Sequence, residues 1–433
     1  MEKKICKVIV IGAGSRGQGY TNIMADAPEL FKVVGVAEPL DDRREYIKEK
    51  HGVAEENCFD TWEKILDVPK FADVAIISTM DRMHTEPALK ALELGYDLLL
   101  EKPVAPTPEE CALIVEKAKE CGRKILVCHV LRYTPFFKTL KKLIKDGVIG
   151  DIVNIEHIEG VGHHHQSHSF VRGNWGNADK SSFMLLQKCC HDLDILQWLL
   201  DKECKRVQSF GSTMHFKREN APEGSPEYCI EGCPVGEKCY YNAMKLYYDA
   251  KHNHWFRGAA TLMPPGKDTD GEVLKALRTT QYGKCVYKCD NNVVDHQTVN
   301  MEFEGGTLIS LTMSAFAGGG RRIRVMGTKG DLVANMHKPA NEAFQFYSFD
   351  TGKVDYLDID YSAVGDSITG GHGGGDAGII NDLYKYIMED YNSEDLSEIN
   401  VSAKNHMIVF AAEESRLNGT VVDVDKYMEK YIK

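Results

Sequence analysis

Short apolar runs alternate with longer, polar-faced stretches through the first third of the chain. Residues 5–11 (ICKVIVI), 31–37 (FKVVGVA), 73–78, 97–100 and 124–128 are rich in β-branched and leucine side chains. Runs this short and this apolar predict strands buried on both faces of a parallel sheet. The intervening segments predict helices over 18–26, 41–50, 61–66, 85–94 and 107–120, with Gly95 as a C-terminal cap. Strands that alternate with helices in this way predict a doubly wound α/β domain over 1–129, its last strand ending near His129. The pattern then changes. A helix following Arg132-Tyr133-Thr134-Pro135 runs to about residue 145, and a strand starts at Asp151. Residues 206–216, 293–304, 307–315 and 321–326 alternate as antiparallel strands do, with Glu304-Gly305-Gly306-Thr307 as a hairpin turn. These features predict a second, α+β domain over 130–433. It holds one strongly apolar helix over 184–200, and late helices over 378–388 and 403–417 are expected to pack back on the first domain. No internal repeat or low-complexity segment interrupts the pattern.

The first strand runs straight into Gly12, Gly14 and Gly17, a G-x-G-x-x-G spacing. Gly12 permits the tight turn, Gly14 lets the backbone approach a pyrophosphate, and Gly17 lets the helix lie close to the strand. Ser15 and Arg16 complete the turn, and the helix that follows offers its free N–H groups to phosphate. The second strand ends in Glu38, where a carboxylate pairs with an adenosine ribose diol and repels a 2′-phosphate. NAD is therefore the expected cofactor, and Arg43 and Arg44 keep NADP as the alternative. Composition narrows the setting. At 433 residues the chain holds two domains. A formal charge of −12 and the lack of a dense Lys/Arg block exclude a nucleic-acid surface. No apolar run has the length of a membrane span, and the N-terminal residues enter the first strand without a signal peptide. Thirteen cysteines, an odd number, predict reduced thiols in a cytoplasmic protein.

Chemistry gathers at the carboxyl ends of the predicted strands. Thr79 and His84 follow the strand over 73–78, and Glu101-Lys102-Pro103 follows the strand over 97–100. Together with the glycine loop and Glu38, these residues resemble the Gfo/Idh/MocA family, the glucose–fructose oxidoreductases, inositol dehydrogenases and their relatives. The resemblance covers the whole chain. It implies an N-terminal Rossmann domain, a C-terminal domain on an open, mostly antiparallel sheet, and a nicotinamide lying between them. It also implies that Lys102 holds the substrate hydroxyl, where an ammonium steadies developing alkoxide charge. Within MLLQKCCHDLDILQWLL (184–200), His191 matches the family's catalytic histidine, while Gln187 stands where the family has an acid one turn earlier. Neutral imidazole can accept a hydroxyl proton; glutamine cannot. Gln187 is therefore left to orient a hydroxyl or the imidazole.

Substrate contacts are expected from Arg132 and from the segment HSFVRGNW, through His168, Arg172, Asn174 and Trp175. Planar donors and an indole face suit a polyhydroxylated ligand. His372 sits in a glycine-rich segment (370–376) of a type found in the NAD-dependent α-N-acetylgalactosaminidases of this superfamily. Cys229, Cys233 and Cys239 form a C-x3-C-x5-C cluster that free thiols or a structural zinc would each explain, and free thiols are the favoured reading. The leading expectation is an NAD-dependent oxidoreductase acting on a sugar or polyol hydroxyl. The alternative is a redox-neutral glycoside hydrolase that oxidises a hydroxyl transiently, eliminates, adds water and re-reduces. A third reading is a sensor that binds NAD and sugar without turnover. The resemblance further implies a carbohydrate or glycoside substrate and a homo-oligomer, with neither nucleic acid nor membrane as partner.

Overall fold

The computed structural model describes residues 4–264, 266–361 and 372–432. Six parallel strands make the first sheet: β1 (Cys6–Ile11), β2 (Phe31–Ala37), β3 (Cys58–Phe59), β4 (Val74–Ile77), β5 (Asp97–Leu100) and β6 (Ile125–Val127). They lie in the order β3-β2-β1-β4-β5-β6, and every pairing is parallel. Strand order reverses between β1 and β4, and such a switch point opens a crevice for a ligand at the carboxyl ends. The apolar runs are buried on both faces: Val8, Ile9, Val10, Val74, Ala75, Ile76 and Ile77 have no exposed surface. Helices Ser15–Ala25, Asp41–His51, Thr85–Glu93 and Pro108–Cys121 cover the faces. Gly52 and Gly122 end two of them in the left-handed conformation, the C-terminal cap that a residue without Cβ supplies at least cost.

Among the described residues nine strands make the second sheet: β7 (Ile152–Gly160), β8 (Cys204–Ser212), β9 (His296–Phe303), β10 (Leu308–Ser314), β11 (Gly320–Gly327), β12 (Gly330–Asn335), β13 (Phe344–Ser348), β14 (Val354–Leu357) and β15 (Val422–Asp423). Their order is β14-β13-β12-β11-β7-β10-β9-β8-β15. All neighbours are antiparallel except β7 and β10. The sheet is therefore mixed, open and mostly antiparallel. One face is apolar and covered; for example Ile309, Leu311 and Met313 of β10 are buried while Leu308 is exposed. Alternation of this kind is what a one-sided sheet requires.

Two late helices join the halves. Gly375–Met388 places Ile379, Ile380 and Leu383 in one core with Val8, Val10 and Val33 of the first sheet. Ile399–Asn418 buries Met407, Ile408 and Val409 in the larger core, which runs from the first sheet into the second. Its His406 accepts the Val104 N–H at Nε2 (3.1 Å) and donates from Nδ1 to the Ser402 carbonyl (2.7 Å). The turn that carries Lys102 is thereby tied to the second domain.

The expected single helix over 184–200 is two. Met184–Gln187 and Cys190–Leu200 are separated by a break at Lys188-Cys189. In an unbroken helix the Gln187 carbonyl would face the N–H four residues on. Here it accepts the Lys102 ammonium at 2.6 Å. The hydropathy pattern also missed β12–β15 and the helical segments between 213 and 294.

Candidate active site

Each glycine of the loop does a different steric job. Gly12 has φ +89°, and a Cβ there would come within 2.7 Å of the Ser78 carbonyl oxygen. A Cβ on Gly17 would overlap the Gly12 carbonyl. Gly14 is different, because its Cβ would meet nothing nearer than the Arg43 guanidinium at 3.7 Å. Its bare Cα therefore faces open space, the room a close-lying phosphate needs. The helix behind it starts without a side-chain cap, leaving its first N–H groups available, with exposed Ser15 at its first position. Glu38, at the carboxyl end of β2, accepts the Ala13 N–H (2.7 Å) and the Leu40 N–H (3.1 Å). Its carboxylate is thus fixed against the same turn. These residues fit a dinucleotide: the loop and helix start would hold its pyrophosphate, and Glu38 its adenosine ribose.

Other expected cofactor contacts are already engaged by the protein's own groups. His84 is buried, with Nδ1 2.8 Å from the Pro103 carbonyl and Nε2 3.2 Å from that of Thr79. It pins two strand-end loops together. Thr79 spends its hydroxyl on the Met83 carbonyl (2.9 Å). Arg16 lies across Glu101 (Nε to Oε1, 2.7 Å) and Asp376 (Nη2 to Oδ1, 2.7 Å). Glu101 also accepts from the Tyr20 hydroxyl (2.6 Å) and, at Oε2, from the Lys102 backbone N–H (3.0 Å). Burial acts to raise the Glu101 pKa, but the charges of Arg16 and Lys102 and the hydrogen bonds from Arg16 and Tyr20 outweigh it. Glu101 therefore stays ionised, and Arg16 and Glu101 position Lys102.

Lys102 reaches over the break in the apolar helix, four residues before His191. Acidic neighbours hold that helix from both sides. Asp192 accepts from His157 Nε2 and from Arg321 Nε, each at 2.8 Å, which ties it to β7 and β11. Burial would raise the Asp192 pKa, and the Arg321 charge with the His157 hydrogen bond drives it far down. Asp194 takes both prongs of Arg132 at 2.7 Å, plus Asn405 Nδ2 at 2.6 Å. His191, immediately before Asp192, is 7% exposed, and its ring lies edge-on to His129 with centroids 5.7 Å apart. His129 was not among the expected site residues, although it stands just past β6, as Glu101 stands just past β5. It is fully buried, neither ring nitrogen has a hydrogen-bond partner among the described residues, and burial holds its pKa down to about 4. A neutral imidazole is what this places behind His191.

The expected substrate set divides. Asn174 and Trp175 face the loop after β4: Trp175 Nε1 donates to Asp81 Oδ1 at 3.1 Å, and Asn174 Nδ2 lies 3.9 Å from Met80 Sδ. Gln187 is buried beside Lys102. Three residues belong elsewhere. Arg132, 1% exposed, is consumed by Asp194 and the Leu396 carbonyl. His168 stacks on Phe256 (4.2 Å), with Nδ1 3.0 Å from the Tyr247 hydroxyl, inside an aromatic cluster; burial drives its pKa down to about 3. Arg172 donates to the carbonyls of Lys284 (2.7 Å) and Tyr241 (2.6 Å), bracing the cysteine-bearing loop. A hydrogen-bonding side chain looks the same in sequence whether its partner is a ligand or a carbonyl. The His372 side chain lies outside the described residues.

The zinc alternative finds no support among the described residues: no group of three or more His, Cys, Asp or Glu side chains there is arranged to hold a metal ion, and Cys229, Cys233 and Cys239 form no disulfide. None of the 13 cysteines forms a disulfide. No helix among the described residues is long and apolar enough to cross a membrane.

The structural reading of Arg132 predicts a stability effect. Arg132→Met leaves Asp194 buried without its counter-charge and should cost about 3–5 kcal/mol. Chemical denaturation measures this; unchanged stability together with a raised KM would return Arg132 to the pocket.

Comparison with known proteins bears on the whole arrangement. Residues 6–129 match the NAD-binding Rossmann fold of an oxidoreductase family, and residues 141–369 match that family's C-terminal alpha/beta domain. YteT of Bacillus subtilis (strain 168) is 24% identical over 336 residues, covering 75% of this chain and 74% of YteT. Inositol 2-dehydrogenase/D-chiro-inositol 3-dehydrogenase of Lactiplantibacillus plantarum is 22% identical, covering 52% of this chain and 61% of that protein. The 2,7-anhydro-N-acetylneuraminate hydratase of Escherichia coli (strain K12) is 30% identical over 34% of this chain and 38% of its own. A levoglucosan dehydrogenase solved with NADH and L-sorbose shares the fold, with a TM-score of 0.71 at 20% identity over 97% of this chain and 99% of that one. Both domain matches and the steric logic of the glycine turn agree: the chain belongs to the Gfo/Idh/MocA family of NAD-binding oxidoreductases.

Proposed function

We propose that this protein oxidises a hydroxyl of a sugar or polyol, with NAD rather than NADP as its cofactor. The observation that carries the reading is the approach of Lys102, fixed by Glu101 at the end of β5, to the helix break four residues before His191. NAD, when bound, supplies the hydride acceptor. The protein's own part is electrostatic and protolytic. The Lys102 ammonium donates to the substrate hydroxyl oxygen and lowers the cost of the charge that develops there. His191 takes the hydroxyl proton at a ring nitrogen. Gln187 orients and takes no proton. Glu38 at the end of β2 supports NAD, since a carboxylate there repels a 2′-phosphate.

His191→Ala is expected to lower kcat roughly a hundredfold or more while NAD affinity stays nearly constant. Steady-state kinetics beside a calorimetric NAD titration measures both, and a variant that keeps most of its turnover takes the proton from His191. A second reading, redox-neutral cleavage of a glycoside, draws on the missing acid at Gln187 and on the relative named as a hydratase. One assay separates them: with NAD and a panel of free sugars and nitrophenyl glycosides, stoichiometric NADH identifies the dehydrogenase. Aglycone released without NADH identifies the hydrolase. Silence in both, with NAD bound, leaves a sensor.

A further inference from the structure

A row of rings leads away from the catalytic groups. Trp175, fixed to Asp81 in the loop after β4, lies 6.3 Å from Phe170 between centroids. Phe170 lies 5.6 Å from His165, and His165 lies 5.0 Å from Trp255, edge to face at 82°. The far end of the row is anchored as well. Trp255 belongs to the helix His254–Thr261, and the carbonyl of the next residue, Leu262, accepts Arg43 Nε at 3.0 Å. Arg43 is the residue nearest the open side of Gly14. Lys267 adds an ion pair with Asp42 at 3.1 Å. Both ends of the row are therefore tied to segments that follow strands of the first sheet: Asp81 after β4, and Asp42 and Arg43 in the helix after β2.

Two members of this row have surface to spare. Trp255 is 48% exposed, an unusual state for the largest apolar side chain, whereas Trp198 is 6% exposed. His165 is half-buried, its ring lying between those of Phe170 and Trp255. Burial, with Lys188, Lys102 and Arg321 nearby, keeps it neutral with a pKa down to about 2, so its ring offers one donor and one acceptor at any working pH. An open indole face beside a neutral imidazole suits the apolar C–H face and the hydroxyls of a pyranose.

We propose that Trp255 and His165 form a subsite for a second sugar ring, next to the ring that meets Lys102 and His191, so that the preferred substrate is a disaccharide or larger glycoside. This rests on the oxidoreductase reading above and specifies its substrate class. The test compares lactose, cellobiose and maltose with galactose and glucose, using the full-length protein with NAD. Trp255→Ala should lower kcat/KM for the productive disaccharide at least tenfold more than for its component monosaccharide, mostly through KM. Trp255→Phe should restore much of the difference, and His165→Ala should reproduce a smaller part of it. Equal losses on both sugars, or none, overturn the subsite and leave the oxidoreductase reading intact. Where no sugar is turned over, titration of the same disaccharides against intrinsic tryptophan fluorescence decides. Quenching that disappears in Trp255→Phe supports the subsite, and its absence overturns it. Failure of the oxidoreductase reading shows separately, as aglycone released without NADH or as silence in both channels with NAD bound.

Discussion

Lys102→Met is expected to lower kcat by about three orders of magnitude while leaving NAD binding almost untouched. The size follows from the role: removal of one preorganised donor to a developing oxyanion costs about a hundred- to a thousandfold, and this donor carries a full charge. Selectivity follows from position. The ammonium points at the Gln187 carbonyl in the second domain, and the glycine turn is built from other residues. Loss of that hydrogen bond should cost the fold only about 1–3 kcal/mol. Lys102→Arg should not rescue activity, because a planar fork cannot reproduce a compact charge on a flexible stem. Single-turnover kinetics with an NAD thermal-shift control provides the measurement. Turnover above a tenth of the parent's would mean that the hydroxyl is held elsewhere.

Gly14→Ala and Gly17→Ala should fail in opposite ways, three residues apart. Gly17 has its Cβ direction blocked by backbone, the Gly12 carbonyl, with Ser78 Oγ 2.9 Å away as well. Backbone cannot rotate aside as a side chain does, so Gly17→Ala is expected to cost about 3 kcal/mol or more and to lower Tm sharply with or without NAD. Gly14, at φ −70° and ψ −167°, already has a backbone conformation that alanine accepts. With its nearest contact at an ordinary 3.7 Å, Gly14→Ala should keep the parent's Tm in the absence of nucleotide. The added methyl instead fills the space through which the pyrophosphate approaches, and NAD affinity should fall at least thirtyfold. Differential scanning calorimetry with and without NAD distinguishes the two. A Gly14→Ala protein with full NAD stabilisation would refute the assignment of this turn to phosphate.

The first domain was legible because its signals are local. A strand buried on both faces must be apolar at almost every position, so β1, β2, β4, β5 and β6 stand out as short runs broken only by Lys7, Lys32 and Asp97 near their starts. The G-x-G-x-x-G spacing after β1 is itself a local signal, although the atoms that exclude a Cβ at Gly12 belong to Ser78 and Thr79 after β4. The second sheet was half legible. β9 and β10 alternate cleanly, but β14 has no fully buried position and its segment carries little periodicity. The break at Lys188-Cys189 left no mark in the hydropathy of 184–200, because Lys102, 85 residues away in sequence, takes the carbonyl there.

Residue types alone determined that this chain would carry a nucleotide-binding sheet, a lysine at a strand end and a histidine on an apolar helix, since each follows from the chemistry of a few neighbouring positions. Only the tertiary structure decided which polar side chains face the crevice. Arg132, His168 and Arg172 carry the groups a sugar pocket needs, yet each found its partner in a carboxylate, a hydroxyl or a carbonyl brought from at least 62 residues away. His165 and Trp255, which no spacing singles out, keep open surface with their rings 5.0 Å apart. The physical reason is that burial demands satisfaction: a polar group taken from water must pair, and long-range packing determines whether the pair is made inside the protein or left for a ligand.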